Sequence, residues 1–156
     1  MYTFVNPCVD KHLDLACQVL KNDGVLAYPT DVNWAFGCDA SSRKALQRIR
    51  ALKPDHPEEQ PFSLLCESLS MIANIANVEN YAYRRLRKIL PGPYTILLQS
   101  NRTLPKQIGD KRAFVGVRVP KAPLLLEIIS KFGKPLATTS LPQQDFSRKS
   151  TDLVKC

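Results

Sequence analysis

Apolar and polar positions along this chain repeat with two periods, and the changes of period mark its elements. Val9, Leu13, Ala16 and Leu20, with Leu15 and Val19 beside them, recur at helical spacing. They predict a helix over about 8–22, stopped by Asn22-Asp23-Gly24. GVLAY, 24–28, reads as a short buried strand ending at Pro29, which has no N–H to give a ladder. The mixed polarity of PTDVNWAFGCD, 29–39, predicts a loop. Ser41 or Ser42 is placed to cap a helix running to Leu52. Ala45, Leu46, Ile49 and Leu52 form its apolar stripe, and Arg43, Gln47 and Arg50 fall on another face. Three prolines in KPDHPEEQP, 53–61, predict a loop. FSLLC, 62–66, reads as a strand. Helices follow over 68–76 and 79–90, the second carrying Arg84, Arg85, Arg87 and Lys88. Pro91-Gly92-Pro93 forms a rigid turn. YTILLQ, 94–99, and AFVGVRV, 113–119, read as strands joined by the polar loop 101–112. A helix over 121–131 turns Leu124, Leu125, Ile128 and Ile129 inward, and PLATTS, 135–140, reads as a strand. The tail from 141 is polar, with Arg148 and Lys149.

Helix and strand alternate without repeats or Gly/Ser linkers, which predicts a single α/β domain over residues 1–156. No helix separates strands 94–99 and 113–119, so they pair antiparallel and the sheet is mixed. Ligands in such folds gather at strand ends and the adjoining loops. The candidates are 29–35, 53–61 and 140–146.

Composition narrows the classes. Of the 156 residues 44% are hydrophobic, which excludes intrinsic disorder, and six glycines exclude collagen-like sequence. No apolar run approaches the roughly 18 residues of a membrane span. The opening MYTFVNPCVDKH lacks a basic stretch leading into an apolar one, so no membrane partner and a cytoplasmic location are expected. The five cysteines form no C-x-x-C pair, and His12 and His56 lie far apart. Neither a disulfide framework nor a metal site is expected, and Cys17, Cys38 and Cys66 read as small core hydrophobes. Lys and Arg outnumber Asp and Glu by 22 to 14, a net charge of +8. That excess suggests an anionic partner, whether nucleic acid, nucleotide or acidic surface.

No Gly-rich phosphate loop and no G-x-S-x-G elbow is present. Other segments carry the candidate chemistry. In AYPTD, Thr30 and Asp31 either present a hydroxyl and a carboxylate at a strand end or stabilise a turn. Arg48-Ile49-Arg50-Ala51-Leu52-Lys53 is a basic helix end or a solvated face. PGPYT aims Thr95 from a rigid turn. VGVRVP sets Arg118 in an apolar strand, and a buried arginine is costly unless paired. Its partner is a ligand phosphate or a structural carboxylate. In ATTSLP, Thr138, Thr139 and Ser140 end a strand with hydroxyls suited to phosphate or carboxylate oxygens.

In this order, GVLAYPTD, FGCDA, the basic helix end, an apolar strand, PGPYT, VGVRVP and GKPLATTS resemble the YrdC/YciO family, over about residues 5–155. The resemblance implies a YrdC-like twisted mixed (parallel and antiparallel) sheet flanked by helices, with a basic concave cleft. It also implies association with double-stranded RNA or tRNA. In the catalytic branch it implies ATP, with Mg, joined to threonine and bicarbonate as threonylcarbamoyl-adenylate, with release of pyrophosphate. That product feeds threonylcarbamoyladenosine in tRNA.

The catalytic branch carries P-T-[DE]-T-x-Y-G. Pro29, Thr30 and Asp31 match it, whereas Val32, Trp34 and Ala35 depart from it. Its K-x-R falls on Arg50-Ala51-Leu52, losing the second cation unless the register slips by one to bring in Lys53. PGPYT with Thr95 and VGVRVP with Arg118 match. S-x-N keeps Ser140 but has Pro142. These departures resemble the YciO branch, which keeps the fold and the basic cleft without the full catalytic set. Each lost contact to a triphosphate is worth about 1.5–3 kcal/mol, and several together imply a loss in rate of about 10³ or more.

The resemblance thus assigns Arg50, Lys53, Thr95, Arg118 and Ser140 to a nucleotide and its phosphates. It assigns Thr30 and Asp31 to an amino acid, and Arg43, Arg48 and Lys121 to RNA. RNA or nucleotide binding on a basic face is the expected function, and threonylcarbamoyl-adenylate synthesis is the alternative. Family members usually continue with further strands, so a naturally short or truncated chain, lacking part of the nucleotide pocket, is expected.

Overall fold

A computed structural model describes residues 10–54, 61–101 and 114–141. The expectations for His56, for the loop over 102–112 and for Pro142, Arg148 and Lys149 fall outside these residues. Five helices are described: α1 (Asp10–Lys21), α2 (Arg43–Leu52), α3 (Leu69–Ile75), α4 (Asn80–Ile89) and α5 (Pro123–Phe132). Six strands accompany them: β1 (Val25–Pro29), β2 (Trp34–Asp39), β3 (Ser63–Leu65), β4 (Ile96–Gln99), β5 (Phe114–Arg118) and β6 (Leu136–Ser140). They form one sheet in the order β1-β2-β6-β3-β5-β4. β3 and β5 run parallel and every other pair antiparallel, including β4 with β5, so the sheet is mixed.

The predicted loop 29–39 is half strand. Residues 34–39 form β2, an inner strand held by β1 and β6. Cys38 joins the core on one face and Ala35 the core on the other, so the polar-apolar contrast that marks a half-exposed strand is missing. Leu52, assigned to the apolar stripe of α2, is 46% exposed because the helix ends there.

Strand alternation divides the core between the two faces. Val115, Val117, Leu64, Cys38 and Ala137 pack with Ile49 of α2 and Ile72 of α3. On the other face Tyr28, Ala35, Leu65 and Leu136 pack under Leu20 of α1 and Ile129 of α5. Leu97 and Phe114, which share this second face by register, are 73% and 60% exposed. The covering helices thus shield the β1-β2-β6 side, and the β5-β4 side of the face stays open.

Candidate functional site

A cavity of about 380 Å³ lies on that open face, within the usual range for small-molecule sites. Six hydroxyl side chains line it: Thr30, Ser63, Thr95, Thr138, Thr139 and Ser140. Lys53, Arg118 and Asn33 join them, with Val32, Ala35, Pro61, Leu65 and Pro93 as the apolar wall.

Lys53 reaches the wall from the end of α2. Ser42 caps that helix, its hydroxyl accepting from the Ala45 N–H at 3.1 Å. Lys53 is the C-cap, with φ −133° and ψ 74°, so its side chain leaves the helical row. Its Nζ donates to Thr139 Oγ1 at 3.1 Å and to the Ser140 carbonyl at 2.6 Å. An ammonium has three donors. Two are spent on β6, and this sets a positive charge at the rim beside Ser140.

Arg118 has the carboxylate partner that a buried arginine in an apolar strand needs: its Nη2 donates to Asp31 Oδ1. The two side chains are 14% and 12% exposed. In the sheet β1 and β5 are separated by β2, β6 and β3. The pair therefore bridges across the face, tying the β1–β2 turn to β5 and closing one side of the cavity.

That turn is held by Thr30. Its hydroxyl donates to the Asn33 carbonyl at 2.8 Å and accepts from the Val32 and Asn33 N–H groups at 3.2 Å each. Its capacity is thus committed to the turn, and what Thr30 gives the cavity is shape. Val32 sits exposed at the tip of the same turn.

Gly37 explains how Tyr28 fits beneath the cavity. A Cβ there would lie 2.1 Å from the Tyr28 oxygen, so only glycine leaves room for the phenol. Tyr28 Oη donates to Thr138 Oγ1 at 3.0 Å, which donates in turn to the Phe36 carbonyl at 3.0 Å. Burial pushes the Tyr28 phenol well above its ordinary range, so it stays a neutral donor. Burial also pushes the Cys38 and Cys66 thiols up to about 12.

Of the residues singled out in the sequence, Thr30, Lys53, Thr95, Arg118 and Ser140 meet in the cavity wall, with Asp31 on Arg118. Four others stand elsewhere. Arg50 lies over the Phe62 ring at 5.0 Å. Arg48 donates to the Asp23 carbonyl at 2.7 Å, near the start of β1. Arg43 opens α2 and Lys121 precedes α5, both exposed. Asn33 and Ser63 were not singled out. Ser63 is legible afterwards as the one polar residue of FSLLC, opposite Thr138 in the register. Among the described residues no three His, Cys, Asp or Glu side chains gather to hold a metal. No described helix is long and apolar enough to cross a membrane.

A mixed six-stranded sheet with a hydroxyl-lined cavity on its open face defines the class of protein. The Sua5/YciO/YrdC family model, described as telomere recombination, matches residues 18–152, and the chain belongs to this family. An uncharacterised protein of Haemophilus influenzae is 35% identical over 141 residues, covering 88% of this chain and 68% of that protein. Escherichia coli YciO is 30% identical over 146 residues, covering 92% and 70%. A threonylcarbamoyl-AMP synthase of Psychromonas ingrahamii is 33% identical over 131 residues, covering 82% and 68%. The crystal structure of E. coli YciO superposes with a TM-score of 0.81 at 29% identity, over 90% of this chain and 70% of that one. P. abyssi Sua5 complexed with L-threonine shares the fold, with a TM-score of 0.78 at 23% identity over 86% and 40%.

Proposed function

We propose that this protein is a nucleotide-binding YrdC-like domain that serves tRNA modification, with RNA as its macromolecular partner. The observation that carries the reading is the convergence of Lys53, the β6 hydroxyls, Thr95 and Arg118 on one cavity. Ammonium, guanidinium and hydroxyl donors around about 380 Å³ suit a ligand bearing phosphate or carboxylate oxygens. In this reading Lys53 and Ser140 hold phosphate, Thr95 the nucleotide, and Arg118 with Asp31 the amino-acid side. ATP with Mg is the nucleotide the family resemblance names.

Calorimetric titration with ATP tests it. Lys53→Ala removes one charge-assisted contact, worth about 1.5–3 kcal/mol, and should raise Kd about 10- to 100-fold. A folded protein that binds neither ATP nor AMP saturably would end the proposal.

The second reading is threonylcarbamoyl-adenylate synthesis. It is favoured by the identity shared with the P. ingrahamii synthase and by Lys53, which supplies a cavity cation where Leu52 supplies none. Pyrophosphate release from ATP that requires both threonine and bicarbonate supports it, and release that needs neither excludes it.

A further inference from the structure

Of the residues the sequence offered for RNA, Arg48 is tied to the Asp23 carbonyl, Arg43 opens α2 and Lys121 precedes α5. A different element concentrates the charge. α4 reads NYAYRRLRKI, and Arg84, Arg85, Arg87 and Lys88 are all exposed on it. At 100° per residue the four fall on the arc opposite the buried Leu86. From Ser68 to Asn101 the chain carries these four cations and one acid, Glu79. Arg87 and Lys88 in the last turn complement the helix dipole. Arg84 and Arg85, in mid-helix, are not explained that way.

The face is aromatic as well as basic. Tyr81 is 66% exposed, with the Arg85 guanidinium 4.7 Å from its ring centroid, and Tyr83 is exposed in the same turn. Basic side chains interleaved with exposed rings match the chemistry of unpaired nucleotides, whose phosphates take the cations and whose bases stack on the rings. The location fits too. α4 runs straight into Pro91-Gly92-Pro93, and Pro93 and Thr95 line the cavity. A strand lying along α4 thus ends at the cavity rim.

We propose that α4 is a docking face for single-stranded RNA, such as a loop, leading to the cavity. The proposal rests on the RNA part of the function proposed above and locates it.

Fluorescence anisotropy with a labelled unstructured RNA 12-mer tests it, with a blunt RNA duplex and a DNA 12-mer of the same sequence as further arms. The variant R84A/R85A/R87A/K88A should lose at least about tenfold in affinity at low salt. The slope of log K against log salt should shrink by about 0.7 for each cation removed. Y81A should weaken the single strand and leave the duplex unchanged. Thermal melting checks that both variants are folded. None of the four α4 cations lines the cavity, so the four-alanine variant should bind ATP with the parent's Kd in calorimetric titration, and failure of the cavity reading and failure of this one look different. The proposal is overturned if the four-alanine variant binds as the parent does, if the parent prefers the duplex or the DNA strand, or if the parent shows no salt-dependent binding to the RNA strand.

Discussion

Replacing Arg118 by methionine should unlatch the β1–β2 turn from β5. The change keeps much of the side chain's volume and removes its charge, leaving the Asp31 carboxylate, 12% exposed, without its partner. Breaking a fully buried pair costs about 3–5 kcal/mol. Here both ends keep some contact with solvent, which screens the loss and takes the cost to about 2–3 kcal/mol. At roughly 2–4 °C per kcal/mol for a chain near 150 residues, Tm should fall by about 4–12 °C. D31N should do the same, for it leaves the Arg118 guanidinium unpaired. Its Nε already has no partner among the described residues. The double variant R118M/D31N should be less destabilised than the sum of the singles, with a coupling of at least about 1 kcal/mol. Differential scanning calorimetry on the four proteins closes the cycle. If each single variant melts within a degree of the parent, or the two effects simply add, the pair does not hold the cavity wall and the reasoning fails.

Gly37→Ala should destabilise by about 2–4 kcal/mol in urea titration. The new methyl meets the Tyr28 oxygen at 2.1 Å and forces apart its hydrogen bond with Thr138. Combining it with Y28F should recover part of the loss, and no recovery would show that the clash is not with the hydroxyl. Cys38 and Cys66, raised by burial from 9.0 to about 12, should resist iodoacetamide at pH 8 until the protein is unfolded, as read by peptide mass spectrometry. Because the folded state keeps these thiols protonated, their contribution is complete below pH 9. Between about pH 9 and 12 the unfolded chain ionises first, and stability should fall.

The helices were legible because each has a polar side and an apolar side at period 3.6. The stop signals around them, Ser42 at the start of α2 and Pro91 after α4, are local. The antiparallel pairing of β4 and β5 followed from connectivity alone. β2 was not legible, since its two buried faces remove the alternation by which a strand is recognised. Nor was the partner of Arg118: the pair joins residues 87 positions apart. Composition could demand an anion but not name which one. Thr30 was ambiguous for a related reason, since a turn-forming hydroxyl and a ligand-binding one have the same sequence signature, and only the Asn33 and Val32 contacts separate them.

The choice between Arg50 and Lys53 shows how a single backbone feature sets the chemistry of the site. Counted by spacing, Arg50 and Leu52 take the two cation positions and the second is empty. That count treats residues 50–53 as one continuous helix. Lys53, however, precedes Pro54, and the proline ring disfavours helical geometry in the residue before it. Lys53 is accordingly the cap, and its N–H still reaches the Ile49 and Arg50 carbonyls while its side chain swings toward β6. Arg50, one turn earlier and still helical, stays over Phe62. The signal for this was in the sequence, in Pro54 rather than in any charged residue. The position of the Lys53 ammonium in the cavity wall is therefore fixed by where α2 ends, and a shift of that end by one residue would turn Lys53 away from β6.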